Sequence, residues 1–150
     1  MTSITPSYPT EFLFYHPIAV RFADLDTHRH VNNIKILEYV ETARTAYYEA
    51  SGIWDGVTVE NMGMVVASVK IDYLESIRYG QSVRVGLMVS SIGSKSIRFR
   101  FQVEEDKGES VFARGEVIMV AYDHTQGHSR LVPDDWHTKL AAFENREDLA

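Results

Sequence analysis

The chain predicts an α+β domain in which a curved antiparallel β-sheet wraps around one long central α-helix. Three observations carry that expectation. A single long helical repeat occupies the first half, and the second half holds four strand-like stretches separated by short turns. The length of 150 residues, 45% of them hydrophobic, suits one domain with a real core. One helix cannot cover both faces of a sheet, so the sheet is expected to curl around it on one side. The other face is then left open, and apolar positions there would favour pairing with a second copy.

Taken in order, residues 1–12 read as a flexible N-terminal tail and 13–150 as the folded domain. Met1 to Thr10 is polar and contains Pro6 and Pro9, so it is not expected to be a secretory signal. From Phe14 to Phe22, apolar side chains recur at Phe14, Ile18, Val20 and Phe22, mostly at strand spacing; Pro17 makes a poor central strand, so the expectation is an edge strand or one that begins after the proline.

The helix follows from Ile34 to Glu49, about 23 Å of it at ~1.5 Å per residue. Ile36, Leu37, Val40, Tyr47 and Tyr48 gather on one side with Ile34 near the margin, and Lys35, Glu38, Thr42, Thr45 and Glu49 fall opposite. Asn32 or Asn33 suits its start and Gly52 its stop.

Strand spacing returns in Met64 to Leu74, in Val83, Val85, Leu87 and Val89, in Ile97, Phe99, Phe101 and Val103, and in Val111 to Tyr122. Turns are expected at 78–80, 92–94 and 106–108, and strands joined by short turns are expected to be antiparallel neighbours. Pro133 to Asn145 predicts a short C-terminal helix.

Composition narrows the chemistry. No apolar run approaches the ~20 residues that span a bilayer. The chain has no cysteine, which removes disulfides, thiolate nucleophiles and cysteine metal sites and is in keeping with a cytoplasmic location. A formal net charge of −6 with no long block of one sign argues against a nucleic-acid module. A phosphorylated ligand would need a local basic patch.

The most chemically loaded stretch is Asp24-Leu25-Asp26-Thr27-His28-Arg29-His30-Val31-Asn32-Asn33, which runs straight into the helix. A helix start presents unpaired N–H groups and partial positive charge, so it can hold a developing oxyanion. A carboxylate or imidazole beside it can act as base or nucleophile, and the combination points to acyl transfer.

Together with the order of elements, the residues Asp24-x-Asp26…His30-Val31-Asn32-Asn33…Glu41-x-x-Arg44 resemble the hotdog-fold thioesterases of the 4-hydroxybenzoyl-CoA and acyl-CoA thioesterase branch. The resemblance runs from about Phe14 to Leu140. It implies a hotdog fold, hydrolysis of acyl-CoA to free acid and coenzyme A, no cofactor, and a homodimer or homotetramer with each site at a subunit boundary. It implies that Asp26 is the catalytic carboxylate and that the Asn33 backbone N–H polarises the thioester carbonyl. A related D-x-N-x-H pattern in plant acyl-carrier-protein thioesterases groups Asp26, His28 and His30. Many relatives have glycine where this chain has Arg29; if that position needs a positive φ, Arg29 is strained there, so either the local turn differs here or the arginine has a job such as meeting a phosphate.

Each residue also has a plainer reading. Asp26 can simply cap the helix entry. Asp24 reads as a structural acceptor. His30 can orient Asp26 or substrate, assist the leaving thiolate, or only bond the turn, and His28 reads as an exposed loop residue unless it meets substrate. Were the segment extended, Asp24, Asp26, His28 and His30 would align as metal ligands; metal sites usually recruit separate elements, so no metal is expected. Glu41 can touch substrate or form a helical ion pair with Arg44. Lys95 and Arg98 can meet coenzyme A phosphates or be exposed cations. Two other activities share the scaffold: a non-catalytic acyl-CoA binding protein and a hotdog-fold hydratase or dehydratase.

Overall fold

The computed structural model describes residues 12–59 and 62–150. Strand β1 (Phe14–Ile18) leads through a 3-10 turn at Phe22–Asp24 into helix α1 (Asn33–Ser51). Strands β2 (Met64–Tyr73), β3 (Val83–Ile92), β4 (Ser96–Glu105) and β5 (Val111–Asp123) follow, then the two-residue β6 (His128–Ser129) and helix α2 (Asp134–Glu144). All pairings are antiparallel, in the order β1-β3-β4-β5-β2, with β6 beside the end of β5. Pro17 sits within β1, an edge strand, so the strand does not begin after the proline. Residues 1–11 of the expected tail lie outside the described residues, but Phe12 is buried and its N–H donates to the Tyr15 hydroxyl, so it belongs to the domain.

The expectation that consecutive strands are neighbours holds for β3–β4 and β4–β5 and fails for β2. Strand β2 pairs with β5 at one edge, so the link 74–82 must cross to reach β3 near the other. That crossing runs past the start of α1. The Val31 N–H donates to the Ile77 carbonyl at 2.9 Å, and His30 forms an isolated bridge with Arg78. Fully buried Ile77 anchors the link there.

Strict alternation explains the core. Val83, Val85, Leu87 and Val89 of β3 and Ile97, Phe99, Phe101 and Val103 of β4 all point inward and are almost wholly buried. They meet Ile36, Tyr39, Val40, Ala43, Tyr47 and Tyr48 of α1. Tyr47 is the hub: its ring stands edge-on to Phe14, Phe99 and Phe143, with centroids 5.0–5.5 Å away. Such contacts add ~0.5–1.5 kcal/mol each beyond area burial. Burial pushes the Tyr47 hydroxyl's pKa up, and it donates to Glu144 at 2.5 Å. Glu144 also accepts from the Val89 N–H, pinning α2 to the β3 bulge between Val89 and Ser91.

Helix α1 starts at Asn32, whose side chain accepts from the Ile34 N–H at 3.0 Å, and stops at Gly52, which takes φ 86 in the left-handed region. Its buried face differs from the expected one. Ile34 is exposed and Leu37 only half-buried, Tyr39, Ala43 and Ser51 are buried, and Arg44 is buried rather than paired with Glu41. The anticipated Glu41–Arg44 ion pair is absent among the described residues, because Glu41 points to solvent while Arg44 turns inward beside Tyr48.

Among the described residues no helix is long and apolar enough to cross a membrane.

Candidate active site

The loaded stretch folds into a tight hairpin ahead of α1. Leu25 and Val31 bridge its base, the Asp26 N–H donates to the His30 carbonyl at 2.9 Å, and the Arg29 N–H donates to the Asp26 carbonyl at 3.0 Å. A three-residue loop of this kind ends in a left-handed residue. Arg29 fills that place with φ 64, so the strained conformation anticipated for it is real.

Asp26 is half-buried. One of its oxygens accepts from the His28 N–H at 2.8 Å, a local turn bond that fixes the carboxylate's direction. The other has no partner among the described residues. Two clefts meet at this side chain. The narrower, about 310 Å³, is shared by Asp26, His28, His30, Asn33, Ile36 and the β2 end from Tyr73 to Ser76. Among the described residues the Asn33 N–H, in the first turn of α1, donates to nothing. Tyr73 ties β2 to that turn by donating to the Asn33 carbonyl at 3.2 Å. The wider cleft, about 820 Å³, is lined by Phe22, Leu25, Asp26, His28, Arg29, His30, Arg78 and Tyr79.

Asp24 takes no part in this. It is 1% exposed and faces the other way, accepting from the Tyr39 hydroxyl at 2.6 Å and from the Arg21 backbone and guanidinium. Burial pushes its pKa up, but those donors together outweigh it and hold the carboxyl below the usual carboxylate range. Its structural reading is therefore the right one. The extended alignment of Asp24, Asp26, His28 and His30 does not form, since a 3-10 turn and a hairpin break it. Among the described residues no group of three or more acidic or histidine side chains is placed to hold a metal.

The structure thus brings Asp26, His28, Arg29, His30 and Asn33 together. The His30 ring makes no hydrogen bond to Asp26; the link between them is backbone. Glu41 is exposed and lines neither cleft. Lys95 lies at the β3–β4 turn, at the opposite end of β3 from the 74–82 crossing, and Arg98 pairs with Glu116 at 2.9 Å, so neither reaches Asp26 within one protomer. Phe22, Tyr73, Arg78 and Tyr79, which the sequence marks only as strand or turn positions, also line the clefts. An aromatic and a cation beside the Gly80 turn, where solvated small residues are the norm, were the available signal.

Comparison with known proteins agrees with this architecture. Residues 20–143 match the profile of the thioesterase-like superfamily. An uncharacterised Bacillus subtilis (strain 168) protein, YsmA, is 30% identical over 122 residues, covering 80% of each chain. The long-chain acyl-CoA thioesterase FadM of Escherichia coli (strain K12) is 39% identical over 56 residues, 37% of this chain and 42% of that protein. Among solved structures, a thioesterase from Thermus thermophilus complexed with coenzyme A and Zn superposes with a TM-score of 0.79 at 32% identity, covering 88% of this chain and 94% of that one. The shared architecture is the hotdog fold, a curved antiparallel sheet around a central helix. The chain belongs to the thioesterase-like superfamily.

Proposed function

We propose that the protein hydrolyses acyl-CoA thioesters to free acid and coenzyme A. The observation that carries this reading is the narrow cleft lined by both Asp26, whose second oxygen accepts no bond among the described residues, and Asn33, whose N–H donates none. The thioester carbonyl oxygen accepts from Asn33 at the positive end of α1, where an oxyanion donor is worth ~3–4 kcal/mol in the transition state. Asp26 then works in one of two ways. As a base, it takes a proton from water while that water attacks the carbonyl carbon. As a nucleophile, it forms a mixed anhydride as the C–S bond breaks, and water cleaves the anhydride afterwards. In both, the coenzyme A thiolate leaves and is protonated. His28 and His30 both line the two clefts and are the imidazoles placed to supply that proton. Support from relatives comes from FadM's acyl-CoA thioesterase activity and from the coenzyme A bound in the Thermus structure.

A second copy completes the site in this reading. Strand β2 is a sheet edge with residues 66–70 all exposed, and Val66, Val69, Tyr73 and Leu74 leave apolar surface along it. A long bare edge of this kind is a template for pairing with another chain. A partner's β2 laid along it walls the narrow cleft, which begins at Tyr73 and Leu74.

Colorimetric thiol release across a panel of acyl-CoAs tests the activity, with sedimentation velocity reporting the assembly. Saturable acyl-CoA binding with no thiol released at any chain length removes the hydrolase reading. A sedimenting monomer at assay concentration removes the paired edge.

A further inference from the structure

The narrow cleft accounts for the reacting atoms and leaves the wider one unexplained. Its composition is unusual for this chain, which carries a formal net charge of −6. Asp26 is its one carboxylate, set against two guanidinium groups and two imidazoles. Arg21, Arg84, Arg98 and Arg146 all hold carboxylate partners. Among the described residues, Arg29 and Arg78 hold none, as is also true of Arg44, Arg100 and Arg130, but of these only Arg29 and Arg78 line this cleft.

Both arginines are also rooted firmly. Arg78 is fixed by its bridge to His30 and by Gln81, whose side chain accepts from the Arg78 N–H at 2.7 Å. Arg29 occupies a left-handed position that glycine would fill without strain, so the chain keeps a guanidinium there against a backbone penalty. The same cleft is lined by Phe22 and Tyr79, both more than half exposed, with their rings edge-to-face at 6.1 Å. An apolar, aromatic wall with cations at its rim fits a body ending in an anion.

Where that anion sits on the ligand follows from reach. The cleft opens directly at Asp26, and 820 Å³ corresponds to roughly 12 Å across if it were round. Coenzyme A's peptide-like pantetheine arm, when extended, puts the first phosphate about 15 Å from the sulfur, beyond such a space. The acyl group, joined at the thioester itself, lies within it.

We propose that this cleft is the acyl pocket and that it selects acyl groups carrying their own distal carboxylate, held between Arg29 and Arg78. The assignment rests on the thioesterase reading and adds its substrate class. The test uses thioesters matched in chain length, ending in carboxylate or in methyl, each made on coenzyme A and on pantetheine. The expected result is a 10- to 100-fold higher kcat/KM for the carboxylated member on both carriers, the value of one or two charge-assisted hydrogen bonds. Arg78→Ala and Arg29→Gly are expected to bring that ratio toward one, and glycine is at ease at positive φ, so the second variant keeps the hairpin.

Two results overturn the proposal: no preference in the wild-type protein, or arginine variants that weaken every coenzyme A thioester alike and spare the pantetheine ones. The latter would assign the anion to the carrier's phosphates. Should no thioester be cleaved, calorimetry with the non-hydrolysable thioethers S-carboxyalkyl-CoA and S-alkyl-CoA reads the same preference, so failure of the pocket is told apart from failure of the hydrolase.

Discussion

Replacing Asp26 by asparagine separates chemistry from structure, because the side chain does two jobs with two oxygens. One oxygen holds the His28 N–H at 2.8 Å, and an asparagine carbonyl oxygen can accept the same bond. Stability should therefore change by less than ~1 kcal/mol. The other oxygen loses its negative charge, and with it the power to take a proton or attack a carbonyl. A positioned base contributes about 10²- to 10⁴-fold, so kcat should fall by that factor while the Asn33 donor and the clefts persist. Asp26→Ala adds a second, independent loss. It removes the turn bond as well, for a further ~0.5–1.5 kcal/mol, or a few degrees in Tm for a chain of this size. The assays are colorimetric thiol release at saturating acyl-CoA and thermal unfolding of all three proteins. An asparagine variant that turns over near the wild-type rate would refute the catalytic assignment. An alanine variant as stable as the asparagine one would refute the turn-bond argument.

Other expectations follow from single features of the fold. Arg29→Gly should match or exceed wild-type stability by up to about 1 kcal/mol in denaturant titration, since relief of a ~1–2 kcal/mol left-handed penalty outweighs glycine's added unfolded-state freedom of ~0.5–1 kcal/mol. Asp24→Asn should destabilise by ~1.5–3 kcal/mol near neutral pH, as a buried charged acceptor for Tyr39 and Arg21 is lost. Because the folded-state pKa of Asp24 is lowered, its contribution is full above the ordinary carboxylate pKa and fades as pH falls below it. The urea midpoints of wild type and Asp24→Asn should accordingly converge in acid; a gap that is constant with pH would contradict the assignment. Tyr47→Phe should cost ~1–3 kcal/mol in the same assay, because Glu144 is left buried with the Val89 N–H as its one remaining donor among the described residues.

How far the fold could be read in advance depended on the range of the signal. The residues of β3 and β4 alternate so regularly that their inward rows follow from period alone, and α1 was placed to within two residues at either end. Pro17 argued against a central strand because a missing N–H has the same consequence wherever the chain goes, and the structure keeps it inside the edge strand β1. Strand β2 misled for the converse reason. Its own alternation says which side chains share a face but nothing about which strand lies beside it, and a nine-residue link can turn back or cross. Arg44 is similar: at helical spacing it looks like Glu41's partner, and only packing against Tyr48 turns it inward.

The same division runs through the site. Sequence by itself determined the local parts: a carboxylate two residues before an imidazole, and a helix start at Asn32 or Asn33. These depend on bonds between residues a few places apart, such as the His28 N–H to Asp26 and the Ile34 N–H to Asn32. Only the tertiary structure decided that Asp24 turns away to Tyr39, fifteen residues on, and that the 74–82 crossing delivers Tyr73, Arg78 and Tyr79 to the hairpin. Backbone hydrogen bonds and side-chain periods are short-range properties that a sequence carries openly. Which distant segments share a cleft is settled by how the sheet closes around the helix, and that depends on burial summed over the whole chain.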